Sequence, residues 1–306
     1  MFFKKLKKHI RDYWALHLMA LPGVAALLVF SYWPKFGVIM AFQKFNFKKG
    51  FLGSTFIGLK NFEFLFKTTD AWIITRNTVC YNAVMIVLNT TLAVILAMIL
   101  NEVKSKRLAK YIQTIYMMPH FLSATAVSMV LFCFLSDTNG IVNSMIRSMG
   151  GETRNWYMTK SIWPATLVGV SAWKNIGYSS IVYLATITGI SQEYYEAAMI
   201  DGATRPQQAL YITLPQLRPI LTIMLIQSIG GIFYGDFGLF YSVPRDSGAL
   251  YPVTNVIDTY IFRALKEQVN YGMSSAAALY QSVVGFLLMV VSNGIVRKVS
   301  PEYAMF

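Results

Sequence analysis

The chain has 306 residues, of which 55% are hydrophobic and 13% charged, with a formal net charge of +13; its mean hydropathy is +0.47. A water-soluble globular chain carries about 25% charged residues, so this composition excludes an ordinary soluble domain and points to lipid as the solvent. The basic residues sit in the loops and termini of an apolar chain, which fits membrane topology and argues against a nucleic-acid partner.

The N-terminus is basic and runs into an apolar stretch that passes Pro22 and reaches Trp33. A basic segment before an apolar one resembles a signal peptide, but no A-x-A cleavage site follows. Trp14 and Trp33 bracket the stretch as interfacial anchors would. It reads as an uncleaved first span near 17–40, preceded by a basic cytoplasmic tail over 1–16. A transmembrane helix needs about 20 mostly apolar residues. Five more stretches qualify, near 77–100, 113–135, 163–188, 217–241 and 275–296, with a C-terminal tail over 299–306. Open sheets cannot span lipid, so the fold class is all-α: a polytopic bundle of about six transmembrane helices forming one membrane domain over 17–298. The intervening loops near 42–76, 136–162 and 242–274 are too short for separate domains.

Lysine and arginine set the orientation. Lys4, Lys5, Lys7, Lys8 and Arg11, the set Lys104, Lys106, Arg107 and Lys110, and Arg297 with Lys298 all fall on one side of a six-span chain. That side is expected to be cytoplasmic, with both termini inside. The first outer loop carries a thinner set, Lys44, Lys48, Lys49, Lys60 and Lys67. Cys80 and Cys133 lie in apolar stretches without a CxxC, so neither a disulfide framework nor a metal site is expected. His9, His17 and His120 are far apart in sequence and read as structural or interfacial.

The segment between spans four and five, 190–216, is the most acidic of the cytoplasmic loops, with Glu193, Glu196 and Asp201. Ser191 suits the cap of a short helix and Glu193 its first turn. Gly202 suits a left-handed helix end. Thr204 suits the cap of a second helix, with Pro206 in its first turn and Leu214-Pro215 as its stop. Ala197 and Ala198 leave one face with little bulk, and Glu196 gives it a charge. The residues alone admit two readings: a knob for docking another protein, or an ordinary well-capped surface linker.

The spacing of Glu196-Ala197-Ala198, Gly202, Ile212 and Leu214-Pro215 resembles the EAA loop of type I ABC importer permeases. The stretch Glu196 to Ala203, with Asp201 before the glycine, resembles the carbohydrate-uptake branch of LplB type in particular. Looser likenesses run along the chain, at 56–62, at 119–123, at 173–178 and at 256–260. The resemblance implies that the loop inserts into a cytoplasmic ATPase. It further implies a second homologous permease, two ATPase subunits that bind ATP and Mg, and an extracytoplasmic solute-binding protein. No cofactor is expected in this chain, because no G-x-x-x-x-G-K-[ST] phosphate loop occurs. No H-E-x-x-H or G-x-S-x-G occurs either, so an intramembrane hydrolase is poorly supported.

Charges deep in a bilayer cost about 2.5–3.5 kcal/mol on insertion scales. Lys174 and Asp236 fall in spans four and five, so each is expected to face the bundle interior, a wet path or a partner. Trp173, Asn175 and Tyr178 accompany Lys174, while Gln227 and Tyr234 precede Asp236. Amides, carboxylates and aromatic rings suit the hydroxyls and C–H faces of a sugar, and the same residues serve equally as internal packing. Gly230-Gly231 permits either a close helix approach or a bend. The expectation is a permease subunit in the cytoplasmic membrane, importing a carbohydrate, an oligosaccharide by preference, by alternating access. Its rivals are a permease for another solute, an ATP-independent transporter and a membrane-embedded enzyme.

Overall fold

A computed structural model describes residue 9, residues 11–267 and residues 269–305 of the chain. Lys4, Lys5, Lys7 and Lys8 lie outside the described residues. Helix α1 spans Trp14–Phe42. It is α-helical to Leu27, opens into a π turn and closes in 3-10 geometry. None of its residues from Trp14 to Leu27 is buried. Helix α2 spans Thr69–Asn101, starting well before the expected edge at 77. Thr68 starts it early: its Oγ1 accepts from Ala71 N at 3.2 Å, and Asp70 sits in the first turn by the positive dipole end.

The expected third span over 113–135 is not one helix. Helix α3, Lys106–Met117, continues as a 3-10 turn through Pro119, and α4, Ala124–Leu135, leaves it at 96°. The corner is made by Ser123, whose backbone is extended and whose Oγ accepts from Ala126 N at 3.1 Å. A side-chain cap in mid-sequence starts a new helix in a new direction. The short α5, Ile141–Ser148, follows, and then α6, Trp163–Thr188, whose bounds match the expected fourth span.

Helices α7, Gln192–Ile200, and α8, Arg205–Gln216, form the loop before the fifth span. The fifth span itself departs most from expectation. Helix α9, Arg218–Gly230, has only 13 residues. That is roughly 20 Å, short of an apolar core about 30 Å thick. It meets α8 at 60°. Residues 231–236 are irregular, and helical turns resume at Phe237. Helix α10, Ile257–Lys266, lies in the loop before the last long helix, α11, Tyr271–Val299.

Three helices among the described residues are long and apolar enough to cross a membrane, five if each bent pair counts as one span. The remaining expected span, the fourth, is α6, which is long enough but carries Ser171, Lys174, Asn175, Ser179 and Ser180, which dilute its apolar character. It packs along α2. The α2–α6 seam is filled by Ala93, Val94, Ala97, Tyr183 and Ile187, with Leu217 from the start of α9. A second cluster joins Tyr81, Met85, Val127, Trp163, Leu167 and Phe240 toward the other end.

Lipid tails are as apolar as leucine, so such seams depend on close backbone approach more than on water exclusion. Gly177 of α6 shows this most sharply. A Cβ there would lie 2.0 Å from the carbonyl oxygen of Tyr116 in α3. Gly230 and Gly231 divide the two roles left open by sequence. Gly230 is the approach point, where its carbonyl oxygen would lie 2.5 Å from a Cβ on Gly285 of α11. Gly231 caps α9 and ends it.

Gly177→Ala is therefore expected to lower stability by about 1–3 kcal/mol, since the obstructing atoms are backbone and cannot rotate away. Gly169→Ala, on the same helix with nothing within 4 Å of the added carbon, is expected to be neutral. Thermal melting of the two variants in detergent decides it: equal midpoints would mean that α3 and α6 are further apart than described.

Candidate functional site

Two features combine sequence-expected residues with unusual geometry: the α7–α8 loop and a cavity beside α9.

In the loop, Ser191 Oγ accepts from Glu193 N at 3.3 Å and starts α7. Its end is a Schellman turn. Gly202 N donates to Met199 O at 3.1 Å and Ala203 N to Ala198 O at 2.8 Å, with Gly202 at φ +79°. Thr204 starts α8 in a capping arrangement, with its N–H and its Oγ1 donating to Gln207 Oε1 at 2.7 and 2.8 Å. One expectation fails here. Leu214-Pro215 does not stop α8, which runs on to Gln216. The helix widens into a π turn over Ala209–Thr213 just ahead of the proline. Wider winding makes room for a ring that would otherwise strike the carbonyl four residues back, and for its missing N–H.

The loop has a root and a tip. Thr213 and Gln208 are buried, Leu214 packs against the α2–α6 seam, and Tyr195 OH pairs with Thr213 Oγ1 at 2.9 Å. Ile212 and Pro215 are half-buried with them. Glu196, Ala197, Asp201 and Gly202 are exposed at the tip, with Ala198 half-buried beneath. Ile200 is 87% exposed there, next to exposed Met199 and Tyr194. An apolar side chain held outward by a rigid cap is a contact waiting for a surface. Arg205 Nη1 lies 3.4 Å from Glu102 Oε2 at the end of α2, an exposed pair that adds little stability but places both loops at one end of the bundle.

The cavity has a volume of about 620 Å³, within the range of small-molecule sites. It lies among α2, α6, α9 and the irregular segment after α9. Of the seven path residues expected from sequence, it brings together five: Asn175, Tyr178, Gln227, Tyr234 and Asp236. Trp173 and Lys174 are not among its lining residues; Trp173 lies on the opposite side of α6 from Ser171, Asn175 and Tyr178, while Lys174, three residues from Ser171 and four from Tyr178, sits at the edge of their face. Tyr178 is held flat against His120, ring centroids 4.3 Å apart and planes 6° from parallel.

The irregular segment that closes one side is tied down by side chains. Asn82 Nδ2 donates to Ile232 O at 2.8 Å and Tyr234 O at 3.0 Å. Gln281 Nε2 donates to Phe233 O at 2.7 Å and to Asp258 Oδ2 at 3.1 Å. Asp258 Oδ2 also accepts from Gly235 N at 2.6 Å. Burial pushes the Asp258 carboxyl above its ordinary range, opposed by these hydrogen bonds from Gly235 and Gln281, which favour the charged form. Asp236 Oδ1 accepts from Leu239 N at 3.0 Å and so starts the next helical turn.

Residues 89–301 match the family described as binding-protein-dependent transport system inner membrane component. The chain belongs to that family. Among relatives, this permease is 33% identical to Protein LplB of Bacillus subtilis over 292 residues, 95% of this chain and 91% of that one. It is 32% identical over 287 residues to the polygalacturonan/rhamnogalacturonan transport system permease protein YteP of the same organism, covering 94% and 89%. A chain from the crystal structure of a bacterial ABC transporter involved in the import of the acidic polysaccharide alginate superimposes with a TM-score of 0.87. That match has 30% identity and covers 97% of this permease and 99% of that chain. The permease is thus a multi-pass membrane protein with the fold of an ABC importer permease.

Sequence reasoning missed Asn82, Asn89 and Ser171 on the cavity wall, and Asp258 and Gln281 behind it. A signal existed for the first pair. Asn82 and Asn89 are seven residues apart in an apolar helix, hence on one face, and amides are costly against lipid. Asp258 and Gln281 had no such signal, because their role depends on where an unwound segment passes.

Gly202 gives a local test of the tip. Its Cβ would meet nothing within 4 Å, so replacement acts through backbone strain alone. Gly202→Ala is expected to weaken the turn by about 1–2 kcal/mol, and Gly202→Asn by less. Hydrogen exchange at 197–204 should then quicken about tenfold in the alanine variant, while exchange in α9 stays unchanged.

Proposed function

We propose that this permease imports a carbohydrate, an oligosaccharide by preference, across the cytoplasmic membrane, driven by separate ATPases that grip the tip of the α7–α8 loop. The cavity carries the sugar reading. Its wall offers amides at Asn82, Asn175 and Gln227, hydroxyls at Ser171 and Ser228, and the rings of Tyr178 and Tyr234. That is the mixture a polyhydroxylated ring with apolar C–H faces requires. The names of the relatives support it, since YteP is named for polygalacturonan and rhamnogalacturonan and the structural neighbour for alginate.

The loop supports the coupling reading. Glu196, Ala197, Asp201 and Gly202 form an exposed, rigidly capped tip whose apolar Ile200 stands 87% exposed. Ile212, Leu214 and Pro215 form the root that transmits force to α9. In this reading the tip, both termini and the Arg205–Glu102 end of the bundle face the cytoplasm. A second, homologous permease completes the path, and two ATPases dock on two such tips. A solute-binding protein delivers sugar outside; the alginate transporter was crystallised in complex with a pentasaccharide-bound periplasmic protein. Closure of the ATPases around ATP would draw the tips together and turn the cavity from one side of the membrane to the other.

Uptake and ATP hydrolysis measured together in reconstituted vesicles test the coupling. Glu196→Ala and Gly202→Pro are each expected to cut uptake about tenfold or more per ATP hydrolysed, with the subunit still present in the membrane. Wild-type uptake by both variants would remove the docking role. Purification of an active transporter free of any ATPase would favour the ATP-independent rival.

A further inference from the structure

The sign of the charge on the cavity wall narrows the substrate beyond carbohydrate, an inference that rests on the cavity being the sugar path. Among the described residues, no lysine or arginine lines the cavity. Asp236 is the one charged lining residue among them, and it is exposed. Leu239 N occupies only one of its oxygens, and Asn rather than Asp would cap the same turn as well. The carboxylate is therefore not explained by helix capping alone. A second observation concerns acceptors. Asn89 Oδ1 is buried on this wall without a hydrogen-bond partner, while its Nδ2 reaches Ser171 Oγ at 3.4 Å. A buried amide oxygen and a carboxylate both call for donors. Sugar hydroxyls donate; ionised uronate carboxyls only accept.

We infer that this permease passes neutral or amino-bearing oligosaccharides and rejects polyuronates, unlike the alginate importer whose fold it shares. A uronate chain carries one negative charge per residue. On the wall that this chain supplies, each such charge would lose water, meet no lining cation and face Asp236, an interaction that is repulsive at every dielectric constant. A neutral glycan meets the same wall without that repulsion: hydroxyls donate to Asp236, and to Asn89 Oδ1 once the side chain turns toward the cavity, while amide N–H groups of Asn175 and Gln227 donate back. Lys174 borders this face of α6 without being among the lining residues, and a substitution there separates its contribution from that of Asp236.

The test uses the assembled importer in vesicles, offered a mixed pool of neutral plant and fungal oligosaccharides with trigalacturonate and its fully methyl-esterified form. ATP-dependent accumulation is read by mass spectrometry. The expected result is accumulation of neutral oligosaccharides, with trigalacturonate at least about tenfold below its methyl ester. Asp236→Asn, which keeps the cap, should raise the acid-to-ester ratio at least about threefold, whereas Lys174→Gln should leave it unchanged. Equal uptake of trigalacturonate and its ester, or loss of acid uptake in Lys174→Gln, would overturn the inference and leave the carbohydrate reading standing. ATP hydrolysis without accumulation of any saccharide would overturn both.

Discussion

Backbone polar groups inside a bilayer must find partners within the protein, because no water is there to take them. The structure around the cavity depends on how this chain meets that demand over residues 231–236. Helix α9 stops at Gly230, and the next residues have no helical ladder. Asn82 from α2 and Gln281 from α11 take three of the freed carbonyls, those of Ile232, Phe233 and Tyr234, while Asp258 from α10 takes the freed N–H of Gly235. Tyr234 OH adds a link to Ser282 Oγ at 2.8 Å. Three elements distant in sequence thus converge on one unwound turn. Without them the turn would have to rewind into a continuous helix, and the cavity would lose the wall that carries Tyr234 and Asp236.

This arrangement explains why polar residues are concentrated where they are. Amides and a carboxylate in spans two, five and six are costly against lipid, but each here either repairs broken backbone or lines the space that the break creates. Asn82 does both. Small residues do complementary work: Gly177 and Gly285 bring backbones within contact distance, so that the polar residues between helices sit in a tight frame. The resulting wall is firm on the side of α2 and α6, whose seam is filled by Ala93, Ala97, Tyr183 and Ile187.

How much of this was legible in the sequence follows from the reach of each interaction. Helix α6 matched its expected bounds because Trp163-Pro164 and Gly189 mark its ends locally. Ser191, Gly202 and Thr204 were readable for the same reason: caps are decided by residues within one turn. The corner at Ser123 used a local cap too, but it was hidden inside an apolar run long enough to be counted as one span. The break after Gly230 was left open, since Gly230-Gly231 permitted a bend or a close approach and no residue within one turn decides between them. Its stabilising partners lie at separations of 23, 48 and 150 residues. Pro215 misled for a related reason, because a π turn upstream absorbs it without ending the helix.

The loop and the cavity are joined by one short, packed stretch of chain in this fold. From Ile200 the chain passes through the Schellman turn, the helix of Arg205–Gln216 and a 60° corner, and enters α9 directly. Leu217 sits at that corner fully buried in the α2–α6 seam, which makes it a fulcrum rather than a free hinge. Beyond it α9 is a single stiff helix with Met224, Gln227 and Ser228 on the cavity wall, ending at the unwound segment. In the proposed coupling, a displacement of the tip would reach the wall through 13 helical residues and one packed side chain at their start. The far end is restrained by hydrogen bonds, which exchange partners at less cost than a packed core deforms. Under the proposed cycle, a lever with a packed pivot and a hydrogen-bonded end would move at that end, and the side chains just beyond it are Tyr234 and Asp236.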